Sequence, residues 1–158
     1  AKTVKIALEQ PTEKERTQLG LKKEEQMLVV ERLRLADGRP MLLETSKFSE
    51  RFFFLFNADL NNASLFDEVR KQTGIVFTKS EKILEIVFAN HQEAKYLDIS
   101  KTTRCGWVTI AGISGFVSQT ITKKSKRISK LMKLGKNGVE WVISAGLQTW
   151  IYKSGMSR

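Results

Sequence analysis

The segment from Met27 to Phe48 constrains this chain more than any other. Two ten-residue runs rich in aliphatic side chains, Met27–Ala36 and Arg39–Phe48, flank Asp37-Gly38. An Asp-Gly pair between two such runs predicts a β-hairpin. Pro40 sits near the start of the return strand, where a missing amide donor is tolerated. On the outgoing strand Leu28, Val30, Arg32 and Arg34 share one face, and Val29, Glu31, Leu33 and Leu35 share the other. On the return, Leu42, Glu44, Ser46 and Phe48 share a face.

The loop decides which faces coincide. A two-residue loop at Asp37-Gly38 sets Glu31 opposite Glu44, and facing like charges are unfavourable. A three-residue loop, Asp37 to Arg39, pairs Arg32 with Glu44 and Arg34 with Leu42. The second register is preferred. It gathers two arginines, a carboxylate and a serine on one side of the hairpin. The residues alone fit two readings. One is a solvated polar face with a cross-strand ion pair. The other is a small-ligand pocket, because two guanidiniums beside one carboxylate can hold an anionic group and a sugar hydroxyl together.

Short elements are predicted on either side. Thr3–Glu9 alternates as a strand. Thr12-Glu13-Lys14-Glu15 has capping-box spacing and opens a helix over 13–19, stopped by Gly20. Phe52-Phe53-Phe54-Leu55-Phe56 is too apolar for an exposed loop. Ser64 caps a helix that ends at Gly74, with acids in its first turn and bases in its last. A helix N-terminus with a free hydroxyl can seat an anion, although simple capping explains Ser64 equally, and Asp67 and Glu68 oppose an anion there. Ile75 to Ala89 reads as one long strand, and Asn90 with Glu93 caps a short helix through Leu97. His91 falls in its first turn and is given no role.

Charge divides the chain. Residues 1–100 hold 16 Lys/Arg and 16 Asp/Glu, whereas residues 101–158 hold 11 Lys/Arg and one acid, Glu140. All of the net charge of +10 therefore lies in the last third. That is a neutral body with a basic tail rather than a uniformly basic nucleic-acid binder. Lys123 to Lys136 carries seven basic residues, with Ile128, Leu131 and Met132 at helical spacing. Lys136-Asn137-Gly138 signals a turn, and Val139–Tyr152 reads as strand interrupted at Gly146. One cysteine, Cys105, allows no internal disulfide, and one histidine leaves little for His-based catalysis. No apolar run is long enough to span a membrane, and the first residues lack the apolar core of a signal peptide. The chain is therefore expected in the cytoplasm, with no membrane partner.

In order and in motif, the pieces resemble the UTRA effector-binding domain of bacterial GntR-type transcription regulators of the HutC subfamily, a domain similar in fold to chorismate lyase. The resemblance rests on Glu31-Arg32-Leu33-Arg34-Leu35-Ala36-Asp37-Gly38-Arg39-Pro40, then Leu43-Glu44-Thr45-Ser46, then Asn62-Ala63-Ser64-Leu65-Phe66. Gln18-Leu19-Gly20-Leu21 and Asn90-His91-Gln92-Glu93-Ala94 add to it. It covers residues 1 to about 103. From Arg104 onward the usual ending is missing, and its late glutamate has no counterpart.

The resemblance implies an α+β fold, an antiparallel sheet with short flanking helices. It implies one domain over 1–158, 104–158 being divergent, without the upstream winged-helix DNA-binding domain. It implies a small anionic effector, a sugar phosphate or carboxylate, a homodimer, and operator DNA bound only through the missing domain. Carried over, the ligand contacts are Arg32, Arg34, Glu44, Ser64 and Phe66. Phe66 holds the place of a residue that is often Tyr, so one hydrogen bond is lost. No catalytic residue, metal or cofactor is expected, and the chain is read as a non-enzyme. Two rivals are a chorismate lyase-like enzyme, which turnover of chorismate would reveal, and a nucleic-acid-binding module on the basic tail. Salt-dependent duplex binding lost on deleting 123–136 would mark the second.

Overall fold

The computed structural model describes residues 1–75, 80–123, 141–145 and 148–152, the last two stretches as backbone. In chain order the elements are β1 (Lys2–Glu9), α1 (Glu13–Leu19), β2 (Met27–Ala36), β3 (Arg39–Phe48), a 3₁₀ helix (Glu50–Asn57), α2 (Leu65–Thr73), β4 (Ser80–Phe88), α3 (His91–Leu97), β5 (Arg104–Ile113), β6 (Phe116–Thr122), β7 (Trp141–Ala145) and β8 (Gln148–Tyr152). The strands form one sheet in the order β1-β2-β3-β6-β5-β4-β8-β7. Every pairing is antiparallel except β4 with β8, where the terminal hairpin adds in parallel. The predicted α+β class holds, with that one parallel pair as the departure.

Local chemistry starts and stops the helices as the sequence indicates. Thr12 and Glu15 close a reciprocal capping box on α1, and Gly20 ends it in the left-handed conformation. Asn90 and Glu93 do the same for α3. Of the predicted strand from Ile75 to Ala89, Ser80–Phe88 forms β4, Ile75 and Ala89 lie outside a strand, and 76–79 lie outside the described residues. Except for Lys123, the predicted basic helix lies outside the described residues, as does the Lys136-Asn137-Gly138 turn. Of the predicted strand over 139–152, Trp141–Ala145 and Gln148–Tyr152 form β7 and β8, and 139, 140 and the interruption at Gly146 lie outside the described residues.

The hairpin corrects one expectation and keeps another. Its loop is two residues, not three: Ala36 pairs with Arg39 and Leu35 with Pro40. Asp37 (φ 51°) and Gly38 (φ 73°) both take positive φ, as a type I′ turn requires. The register then slips by one, so Arg34 pairs with Leu42 and Arg32 with Glu44. Met41 is the extra residue. This β-bulge does what a longer loop was expected to do, and it moves Glu31 away from Glu44 to face Thr45.

Two layers cover the sheet. On one face Leu28, Val30, Phe48 and Phe116 pack against Phe52 and Leu55 of the 3₁₀ helix and Leu65 and Val69 of α2. On the other, α3 buries Ala94 and Leu97 against Leu33, Leu43, Cys105 and Ile121, and Leu19 at the end of α1 joins Met27, Val29 and Val117. Lys47 anchors α1 there through Glu15 at 2.6 Å. Burial pushes the Glu15 carboxyl up, but hydrogen bonds from Lys47 and Thr12 outweigh it and hold the group below its ordinary value.

The 3₁₀ helix is held to the sheet at Gly115 in the β5–β6 turn. Gly115 has φ +73°, and a Cβ there would overlap Ser49 Oγ and lie 3.3 Å from Phe52. The Ser49 N–H donates to the Gly115 carbonyl at 2.8 Å. Gly115→Ala therefore combines a left-handed non-glycine residue with a clash. It is expected to lower unfolding free energy by about 1–3 kcal/mol in chemical denaturation.

Candidate functional site

Arg32 and Glu44 are directly opposed on β2 and β3, so their side chains rise from the same face. Arg32 Nη2 donates to Glu44 Oε2 at 2.8 Å. Arg34, two residues along the same strand, brings its Nε to 3.7 Å from that oxygen. Arg32 also donates from Nη1 to the Ala63 carbonyl at 3.2 Å. That bond ties the sheet to the turn just before Ser64, the N-cap of α2. The Ser64 hydroxyl accepts from the Asp67 N–H at 3.5 Å, the long limit of a hydrogen bond. Phe66, in the first turn of α2, stands edge-on to Phe116, with centroids 5.6 Å apart.

The structure thus brings Arg32, Arg34 and Glu44 into contact and places Ser64 and Phe66 in the element above them. They differ sharply in exposure. Arg32 is 1% exposed and Glu44 7%, whereas the Arg34 side chain is 53% exposed. Ser64 and Phe66 are exposed as well. The site has a buried base and an open rim. Its three charged side chains sum to one positive charge, and Arg34 carries that charge to the surface. Asp67 and Glu68, in the first turn of α2, are engaged along the helix with Arg70 and Gln72.

Two further hydroxyls belong to the base. Ser46 follows Glu44 by two residues and hydrogen-bonds Ser118 of β6 at 3.2 Å, each 1% exposed. Ser46 was visible on the hairpin face. Ser118 was missed, and the signal was the alternation Phe116, Ser118, Thr120 along β6. A groove of about 600 Å³ is lined by Asn57, Asp59, Asn62, Glu68 and Lys71 among others. It shares Ala63 with the site but none of the five predicted contacts. The convergence of charge marks the hairpin face instead.

The UTRA domain family matches residues 1–106, and the chain belongs to it. Among curated proteins, an uncharacterized HTH-type transcriptional regulator of Bacillus subtilis, YydK, is 23% identical over 99 residues, 63% of this chain and 42% of that protein. The chain therefore spans less than half the length of that relative. Among solved structures, the effector domain of PhnF from Mycobacterium smegmatis superposes with a TM-score of 0.71 at 21% identity, covering 79% of this chain and 80% of that one. The C-terminal domain of the histidine utilization repressor from Pseudomonas syringae pv. tomato gives 0.70 at 13% identity, covering 79% and 91%. Likeness at these identities shows the fold. Among the described residues no helix is long and apolar enough to cross a membrane.

Proposed function

We propose that the chain is the effector-binding and dimerisation domain of a HutC-type regulator that senses a small anionic metabolite, a sugar phosphate or carboxylate. On this reading Arg32, Arg34, Glu44, Ser64 and Phe66 form the receptor. Occupancy alters the spacing of winged-helix DNA-binding domains carried by the whole regulator as a homodimer. The chain binds rather than converts its ligand, in the cytoplasm, without a cofactor. The observation that carries the reading is the half-exposed Arg34 guanidinium beside a buried, hydrogen-bonded Arg32–Glu44 pair.

That arrangement divides the work. Glu44 balances Arg32 and fixes its plane, and Arg34 supplies the excess charge. Planar, bidentate donors at such a rim favour carboxylate and phosphoryl oxygens over point-like cation contacts. Polar ligand groups entering the base meet fixed donors and acceptors, which gives selectivity.

Thermal-shift screening against sugar phosphates and small carboxylates tests this. A specific ligand at 100 times its dissociation constant stabilises by about 2.7 kcal/mol. Arg34→Ala, at an exposed position, leaves the fold intact and is expected to erase that shift. A shift that survives Arg34→Ala overturns the receptor as drawn.

A further inference from the structure

We propose that Thr3 is a further ligand-contact residue of this site, its hydroxyl and Arg32 Nε together receiving one oxygen atom of the effector. The inference rests on the reading above and extends it to β1, an element from which the sequence offered no contact.

The first observation is a bulge. Thr3 pairs with Arg32, but Lys5 pairs with Glu31, so Val4 is the extra residue. Were the register of the rest of β1 continued, Val4 would stand opposite Arg32. The bulge puts a threonine there and sends Val4 to the Leu33–Leu43 core on the opposite face. Bulges commonly re-aim a side chain beside a site.

The second observation is a pair of unsatisfied atoms. Thr3 Oγ1 and Arg32 Nε are both buried, and neither has a hydrogen-bond partner among the described residues. Arg32 is 1% exposed, and its other two nitrogens are committed to Glu44 and Ala63. Its Nε is the one guanidinium nitrogen with no bond among the described residues. A threonine hydroxyl can donate or accept, so an oxygen lying between the two atoms satisfies both. Buried polar atoms are otherwise almost always paired.

The third observation is how Thr3 is held. Its N–H donates to Asn61 Oδ1 at 2.8 Å. Asn61 lies in the same loop that offers the Ala63 carbonyl to Arg32 and ends at Ser64. One loop therefore positions Thr3, Arg32 and the start of α2 together. Arg34 meets the anionic head at the rim, and the Thr3–Arg32 pair meets a hydroxyl or carbonyl oxygen at the base. The ligand class that uses both is a hydroxylated anion rather than a bare one.

Calorimetry on the whole chain tests this with glucose 6-phosphate and gluconate as hydroxylated anions, and inorganic phosphate and acetate as bare ones. Thr3→Val keeps the β-branched shape and removes the hydroxyl. It is expected to melt at or above the wild-type temperature. It is also expected to weaken binding of the hydroxylated anion about tenfold, the scale of one lost hydrogen bond, while leaving the bare anion unchanged. Thr3→Ser is expected to bind as wild type. Melting several degrees below wild type would show that the hydroxyl supports the fold, which overturns the inference. Unchanged binding in Thr3→Val, with binding lost in Arg34→Ala, overturns Thr3 alone. If neither hydroxylated anion binds the wild-type chain, the effector reading and Thr3 fall together.

Discussion

Glu44→Ala is expected to lower the unfolding free energy by about 3–5 kcal/mol, the scale for breaking one side of a buried ion pair. The cause is what remains behind. Arg32 is 1% exposed, and a guanidinium cannot shed its proton to escape burial. Arg34 is too open and too like-charged to compensate. The Ala63 carbonyl, 3.2 Å from Nη1, satisfies one donor but not the charge. In a domain of this size the melting temperature should fall by roughly 10 °C or more. The double substitution Arg32→Met with Glu44→Leu removes both charges and is expected to regain most of the loss, because well-packed apolar replacements of buried pairs are often neutral. Effector binding should stay lost in that variant. Stability restored without binding separates the pair's structural part from its receptor part. A loss below about 1 kcal/mol in Glu44→Ala would mean that the pair behaves as an exposed one, and the buried base would be wrong.

The local signals around that pair were legible because each is set by a few adjacent residues. The capping boxes at Thr12 and Asn90, the left-handed stop at Gly20 and the Asp37-Gly38 turn need no distant partner. The Arg32–Glu44 register was legible too, from electrostatics, although the route to it was not: a bulge at Met41 leaves no mark in composition. Non-local features stayed hidden. β3 lies beside β6, and Ser46 meets Ser118 across 72 residues of sequence. No periodicity within either strand reports that pairing. The run from Phe52 to Phe56 read only as something that must pack, because five consecutive apolar residues fit no single period. It forms a 3₁₀ helix that buries Phe52 and Leu55 and leaves Phe56 47% exposed. The candidate site residues were therefore drawn from the hairpin and from family likeness. Their division into a buried base and an exposed rim was not readable, because burial of Arg32 depends on the loop and helix folded over it.

Phe48→Ala is expected to be comparably severe, with about 3–5 kcal/mol lost in chemical denaturation, the range for removing a buried aromatic side chain. Phe48 is fully buried, with ring centroids 5.5 Å from Phe52 and 4.8 Å from Phe116. It joins the 3₁₀ helix to the sheet at the end of the strand that carries Glu44 and Ser46. Its loss should also reach the rim of the proposed receptor. Phe66 rests edge-on against Phe116, and Phe116 rests against Phe48, so a cavity at Phe48 loosens the support of the first turn of α2. Amide exchange in α2 is therefore expected to accelerate in Phe48→Ala while α1, on the opposite face, keeps its protection relative to the new global stability. Phe48→Leu, which fills most of the volume, should recover a large part of both effects. A loss under about 1 kcal/mol, or exchange that rises equally in α1 and α2, would mean that α2 does not depend on this aromatic stack, and the rim residues would then need another means of being held over Arg32 and Glu44.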